Sequence, residues 1–231
     1  MSDELKSKLR TSRLSELGLM TATLTHELRQ PLFAIRSLAQ LAIANPKGEE
    51  NTYLESLLSQ TEVLERIVEA VGAYAREDTG VMMPIDPNQP PRACVDLISH
   101  RAKQKGIRLE VEIDPTASLA AGEPTAILQI LVNLAQNAID ASEFGQTVWI
   151  RSGVHDGDVV FEVQDEGTGI PDSVAQQIYE PFFTTKGPKD GTGLGLFLAR
   201  ELAQRCRGEL VLVPAQKGAH FRLCLGPWMG R

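Results

Sequence analysis

Thr25-His26-Glu27-Leu28-Arg29-Gln30-Pro31-Leu32 lies inside a longer apolar pattern. Leu14, Leu17, Thr21, Leu24, Leu28, Ile35, Leu38 and Ala42 recur at heptad spacing, which describes one seam along a helix from about Leu5 to Ala44. Asn45-Pro46-Lys47-Gly48 supplies the residues that stop it. His26 falls off the seam, with Gln30 one turn later on the same face and Glu27 beside it. Its ring is predicted to project into solvent, where an imidazole is a nucleophile within reach of a second group. Pro31 lacks a backbone N–H and crowds the carbonyl of Glu27, so the helix is predicted to bend or loosen there. An exposed helical histidine is ordinarily only solvated surface. The weight given to His26 therefore depends on the rest of the chain.

From Tyr53 to about Ala75 a second stripe follows, through Leu54, Leu57, Leu58, Thr61, Leu64, Val68, Val71 and Ala75. Two amphipathic helices joined by a short turn make an antiparallel hairpin. Each stripe needs more than one neighbour to be covered, so two hairpins are predicted to associate as a homodimeric four-helix bundle. The plainer alternative is that the hairpin packs onto the remainder of its own chain.

The chain has 231 residues, 42% hydrophobic and 23% charged, which is the balance of a globular protein with a real core. No apolar run approaches the roughly 18 residues of a membrane span, and the charged N-terminus lacks a signal-peptide pattern. The expectation is a cytoplasmic chain with no membrane segment. Net charge is −7, which argues against nucleic acid as the partner. Cys94, Cys206 and Cys224 are widely spaced and odd in number, so they read as reduced structural thiols.

Composition shifts between Asp78 and Pro91, where Gly80, Pro84, Pro87, Pro90 and Pro91 interrupt any period and read as a linker. Beyond it helices and strands mix. Arg92 to Lys105 reads as an amphipathic helix, Arg108 to Ile113 alternates as a strand, and Thr125 to Ser142 is a strongly apolar helix. Thr147 to Ser152 and Val159 to Gln164 read as a hairpin around His155-Asp156-Gly157-Asp158. Gly193 to Arg207 reads as a last helix, and Leu210 to Val213 with His220 to Leu225 as a second hairpin. The fold class is α+β: a helical hairpin, then a two-layer α/β sandwich with a mixed sheet.

Four constellations in this second region carry chemistry. Asn133 and Asn137 lie one turn apart on the strongly apolar helix, where buried amides need partners. Their carbonyl oxygens suit a hard cation such as Mg2+, and the bland reading is an interhelical hydrogen bond. Asp165-Glu166-Gly167-Thr168-Gly169 follows a predicted strand, with glycines that admit a flat ligand and a carboxylate able to accept from an amino group. Gly191-Thr192-Gly193-Leu194-Gly195 precedes a helix with no strand ahead of it, so a dinucleotide fold fails on context. What survives is a glycine-rich loop offering backbone N–H groups to phosphates. Between these lies Tyr179-Glu180-Pro181-Phe182-Phe183-Thr184-Thr185-Lys186, an apolar anchor followed by a polar segment with the makings of a lid.

In this order, His-Glu-x-x-x-Pro, Asn-x-x-x-Asn, Asp-x-Gly-x-Gly, Phe-Phe-Thr-x-Lys and Gly-x-Gly-x-Gly resemble the H, N, G1, F and G2 boxes of sensor histidine kinases. The resemblance implies three stretches: a dimerisation and phosphotransfer hairpin over 1–79, a linker over 80–91, and an ATP-binding domain of the Bergerat (GHKL) type over 92–231. It implies ATP and Mg2+ as cofactors, His26 as phosphoryl acceptor and Glu27 as its base. It further implies Asn137 as the magnesium ligand, with Asn133 supporting the phosphates, and Asp165 reading the adenine amino group between Gly167 and Gly169. Gly191, Gly193 and Gly195 would let the lid fold over the triphosphate, Lys186 or Lys189 would add charge, and Phe182 and Phe183 would tie the lid to the core. The implied partner is the receiver domain of a response regulator.

Related ATPases of this fold place a glutamate where this chain has Asn133, and an amide cannot act as a base at neutral pH. Hydrolysis is thereby disfavoured and transfer to His26 favoured. Gln30 stands where the family often has Thr or Asn, and its amide could orient a water for phosphatase action on the regulator. Only a dozen or so residues precede the seam, so a sensory region is expected either in a longer protein or on a separate partner. Two rival readings are a serine kinase of the anti-sigma type, which leaves the hairpin without a purpose, and a phosphotransfer scaffold with a decayed ATP site, which the intact Asn137, Asp165 and glycines oppose.

Overall fold

The computed structural model describes Thr25, residues 28–44, Glu50–Ala75, and residues 82–185 and 193–230. They form two compact units, one helical and one α/β.

In the helical unit, residues 28–44 are helical (α1) and Glu50–Ala75 form α2. The second helix starts three residues before the predicted Tyr53. Glu50-Asn51-Thr52 carry no seam residue, and polar side chains in a first turn leave no apolar periodicity to read. Leu28, Ile35, Leu38 and Ala42 of the first seam are half-buried, as are Leu57 and Leu64 of the second, and Ile67 is buried. Leu32, Phe33, Leu41 and Ile43 on α1 and Leu54, Leu58 and Val68 on α2 remain exposed. The bend expected ahead of Pro31 falls on a turn whose residues 26 and 27 lie outside the described residues; Pro31 itself is buried.

The α/β unit opens with β1 (Met83–Ile85) and α3 (Gln89–Lys105), so much of the expected 80–91 linker is folded structure. Pro90 and Pro91 occupy the first turn of α3, are buried, and start the helix instead of ending a linker. At these positions an N–H has no intrahelical acceptor in any case, so proline costs nothing there. Then come β2 (Arg108–Ile113), β3 (Ala120–Gly122), α4 (Pro124–Ala141), β4 (Thr147–His155), β5 (Asp158–Asp165), a 3-10 turn over Gln177–Tyr179, α5 (Gly195–Arg205), β6 (Glu209–Val213) and β7 (His220–Leu225).

The main sheet has the order β2-β4-β5-β7-β6, with β2 parallel to β4 and the other neighbours antiparallel. A parallel pair requires a crossover, and α4 lies within it. β1 and β3 form a separate antiparallel pair that the sequence reading missed, because three-residue strands show no period. The β4–β5 hairpin is longer than predicted: Asp156 (φ 53°) and Gly157 (φ 90°) make a two-residue turn with both residues left-handed, which lets pairing extend to His155 and Asp158.

α3, α4 and α5 pack on one face of this sheet. Ile127, Ile130, Leu131, Leu134 and Ile139 of α4 meet Val148, Ile150, Phe161, Leu223 and Leu225 of the strands, all essentially without solvent contact. Cys94 and Cys206 are buried and all three thiols are free; burial pushes the Cys94 thiol up to about 12, which makes it inert.

The opposite face is a row of alternating charge. Glu112, Arg151, Glu162 and Arg222 stand side by side across β2, β4, β5 and β7. Arg151 donates to Glu112 at 2.7 Å and Arg222 to Glu162 at 2.6 Å, while His220 Nε2 lies 3.2 Å from the same Glu162 oxygen. The neighbouring His220 and then Arg222 hold the Glu162 carboxyl down to about 2 against the opposing effect of burial. A depressed folded-state pKa stabilises above the unfolded value, and that stability is lost as pH falls through the folded value. Glu162→Gln should therefore cost roughly 2 kcal/mol at neutral pH and flatten the acid limb of stability between about 4.5 and about 2. Denaturant midpoints measured across that range check it.

Candidate functional site

α4 is apolar along its buried side, and Asn133, Asn137 and Ala141 form a row along it at intervals of one turn. The Nδ2 of Asn133 is buried and has no hydrogen-bond partner among the described residues. Asn137, half-buried, faces Gly195 at the start of α5, where a Cβ would lie 3.5 Å from its Nδ2. One turn further, a Cβ at Gly167 would lie 2.3 Å from the carbonyl oxygen of Ala141, so only glycine fits. Two of the glycine motifs thus converge on the same row of α4, although about 28 positions of sequence separate them, a closure the contact pattern alone supplies.

Asp165 closes β5 and is only 4% exposed. Its Oδ1 accepts from the backbone N–H of Gly167 at 2.8 Å and of Ala219 at 3.1 Å. Burial raises the carboxyl's pKa, and the two N–H bonds work against that rise. The carboxylate is therefore held in one orientation by two backbone donors to its Oδ1. Next to it Glu166 accepts from Thr147 N–H at 2.9 Å and meets Lys217 at 3.4 Å; the Thr147 N–H, and then the charge of Lys217, lower its pKa.

Gly218 and Ala219 were not singled out in the sequence. Gly218 (φ +69°) is so close that a Cβ would lie 1.9 Å from the Asp165 carbonyl oxygen. In sequence it reads as an ordinary hairpin glycine between β6 and β7; nothing local marks the approach to a residue 53 positions away.

The Tyr179 ring stacks edge-on against Phe221 with centroids 6.5 Å apart, and Arg200 of α5 lies 4.9 Å over its face. Burial pushes the Tyr179 hydroxyl up to about 12. These contacts fasten the segment that leads to Phe182 and Phe183, both half-buried, with Phe182 in the left-handed region at φ +67°. Tyr179 and Arg200 supply these contacts in addition to the two phenylalanines expected to tie the segment down.

The sequence profile of the His Kinase A (phospho-acceptor) domain matches residues 16–80, and that of the histidine kinase-, DNA gyrase B-, and HSP90-like ATPase matches residues 122–227. The chain is a histidine kinase catalytic core. It is 26% identical over 225 residues to sporulation kinase E of Bacillus subtilis, spanning 96% of this chain and 30% of that protein. To the sensor histidine kinase ZraS of Escherichia coli O157:H7 it is 29% identical over 228 residues, spanning 97% of this chain and 49% of the other. The chain thus spans half or less of these curated relatives. Among solved structures, histidine kinase ThkA in complex with the response regulator protein TrrA matches with a TM-score of 0.80 and 26% identity, over 98% of this chain and 68% of the other.

Within this histidine kinase core, Gln30 is an exposed residue of α1. His26, Glu27, Lys186 and Gly191 lie outside the described residues. Gly193 (φ +65°) and Gly195 are described, and α5 begins at Gly195 because a left-handed Gly193 cannot belong to the helix predicted from it. No group of three or more His, Cys, Asp or Glu among the described residues is placed to hold a metal. The amide oxygens on α4 nonetheless fit Mg2+, which takes few protein ligands and completes its shell with phosphate oxygens and water. No helix among the described residues is long and apolar enough to cross a membrane.

Gly218→Ala tests the tie between the β6–β7 turn and Asp165. A Cβ at that position meets backbone on a strained left-handed residue, so the variant should lose about 1–3 kcal/mol of stability. Thermal and denaturant unfolding would measure it, and a change within 0.5 kcal/mol would contradict the close approach.

Proposed function

We propose that the chain is an ATP-dependent protein-histidine kinase that phosphorylates His26 and passes the phosphoryl group to an aspartate of a response-regulator receiver domain. The observation that carries this reading is the convergence of Asn137, Gly195, Gly167 and the backbone-clamped Asp165 along one side of α4. Such a site has a base-reading carboxylate at one end and an amide facing a glycine-rich helix start at the other. The second oxygen of Asp165 accepts from the adenine amino group, and Gly167 and Gly169 make room for the ring. N–H groups at the start of α5 face the phosphates. Asn137 would hold Mg2+ through its side-chain oxygen, with Asn133 supporting the phosphates; when bound, Mg2+ neutralises charge developing on the transferred group.

A ring nitrogen of His26 attacks the γ-phosphorus in line, the bond to the ADP oxygen breaks, and the imidazole proton passes to Glu27. The P–N bond then breaks as an aspartate oxygen of the receiver takes the phosphoryl group. In the reverse sense of signalling, Gln30 orients a water against the phosphorylated receiver. Asn133 cannot activate water as a carboxylate would, so ATP is held for the histidine.

Incubation with γ-labelled ATP should give label that is lost in acid and kept in base. Acid-stable label would indicate a hydroxyl acceptor, and no label with intact MgATP binding would indicate a scaffold. Asn137→Ala should abolish labelling in a folded protein, Asp165→Asn should raise the nucleotide Kd first, and Glu27→Ala should slow labelling about 10²-fold, the scale of a lost general base. Label appearing at the wild-type rate in Asn137→Ala would remove the metal from that residue.

The working unit is a homodimer through the hairpin. Leu54, Leu58 and Val68 on α2, with Phe33 and Ile43 on α1, are apolar and exposed, which is the half-finished core that a second hairpin covers. Leu58→Asp together with Leu54→Asp should give a monomer by light scattering with reduced labelling; a wild-type chain that is monomeric at micromolar concentration would overturn this.

A further inference from the structure

Arg205 in the last turn of α5 is 9% exposed, and its Nη2 donates to Glu123 Oε2 at 2.9 Å, at the residue just ahead of α4. Thr125 Oγ1 donates to the other oxygen, Oε1, at 3.0 Å, so both carboxylate oxygens are engaged. A basic residue at a helix C-terminus ordinarily serves the helix dipole from the surface. Arg205 is instead withdrawn from solvent onto a neighbouring helix. At the opposite end of the same two helices, Gly195 lies against Asn137. The helices are therefore antiparallel and touch at two marked points. Asn137 is about 21 Å along α4 from Glu123, and Gly195 about 15 Å along α5 from Arg205, at 1.5 Å per residue.

Between these points α4 and α5 pack directly, and every buried residue on either helix is apolar. Apolar packing is non-directional and tolerates small axial slides. The Arg205 Nη2–Glu123 Oε2 bond, with Thr125 holding the other carboxylate oxygen, is directional and distance-limited. We infer that Glu123 and Arg205 are positioning residues that fix the axial register of α5 on α4, and so set the distance between the Asn137 amide and the phosphate-facing start of α5. The inference rests on the proposed assignment of Asn137 to the magnesium–triphosphate end of the site.

The test compares Arg205→Met, Arg205→Lys and Glu123→Gln in the full chain. For each, the Kd of MgATP, the Kd of adenosine and the thermal midpoint are measured. Arg205→Met should weaken MgATP by about tenfold, the scale on which losing a supporting group lowers affinity at a metal site. Adenosine binding, which depends on Asp165, should be unchanged, and Arg205→Lys should recover most of the MgATP affinity. If Arg205→Met does not fold, Glu123→Gln, which keeps the shape and an acceptor, should show the same split to a lesser degree. MgATP and adenosine affinities falling together, or MgATP affinity unchanged in a folded variant, would overturn the inference. Asn137→Ala separates the two layers: if it weakens MgATP while Arg205→Met does not, only the register role fails, and if Asn137→Ala leaves MgATP binding intact, the assignment beneath it fails.

Discussion

A largely buried helix that carries Asn133 and Asn137 one turn apart is the constraint on which the α/β unit depends. Ile127, Ile130, Leu131, Leu134 and Ile139 fill the space between α4 and the sheet, and their burial is the largest apolar contribution to this unit. Asn133 works against it, since an amide group taken out of water without a partner is costly. The Asn133 Nδ2 has no partner among the described residues. That orphaned amide and the close approach of Gly167 to Ala141 lie on the same row of α4, two turns apart.

The sheet serves this helix in two ways. Its inner face supplies the apolar surface against which α4 is fixed, and the end of β5 delivers Asp165 beside the C-terminal end of α4. Its outer face is a lattice of alternating charge that includes Glu112, Arg151, Glu162 and Arg222. Cross-strand pairs of this kind add register specificity: a slip by one residue would bring polar chains into the core and apolar ones out. Register matters here because Asp165, at the last position of β5, is held by the N–H of Ala219, immediately before β7.

The helical unit follows a different economy. Each helix shows a half-buried flank and an exposed apolar flank, so the heptad pattern contains more apolar surface than a two-helix hairpin covers. The sequence stripe through Leu54, Leu57, Leu58 and Leu64 does not distinguish the two flanks. In the structure Leu57 and Leu64 are half-buried while Leu54 and Leu58 face outward.

The sequence by itself determined the periodic elements and the chemical boxes. β2 and β7 have the predicted limits, and α3, α4 and α5 are present within a few residues, because alternation and the 3.6-residue period are local properties of the chain. Asn133, Asn137, Asp165, Gly167, Gly169 and the glycines ahead of α5 were legible as residue types with unusual local spacing. Only the tertiary structure decided which of them meet. The clamp of Ala219 on Asp165, the approach of Gly218, the contact of Gly195 with Asn137 and the pairing of Glu123 with Arg205 join residues tens of positions apart. Likewise β1 and β3 exist as strands only because they pair with each other, and Pro90 and Pro91 begin a helix only because that turn packs on the core. A pattern of side chains along one strand or helix is written in neighbouring residues, whereas a contact across the fold depends on how every intervening element packs, which no short stretch of sequence encodes.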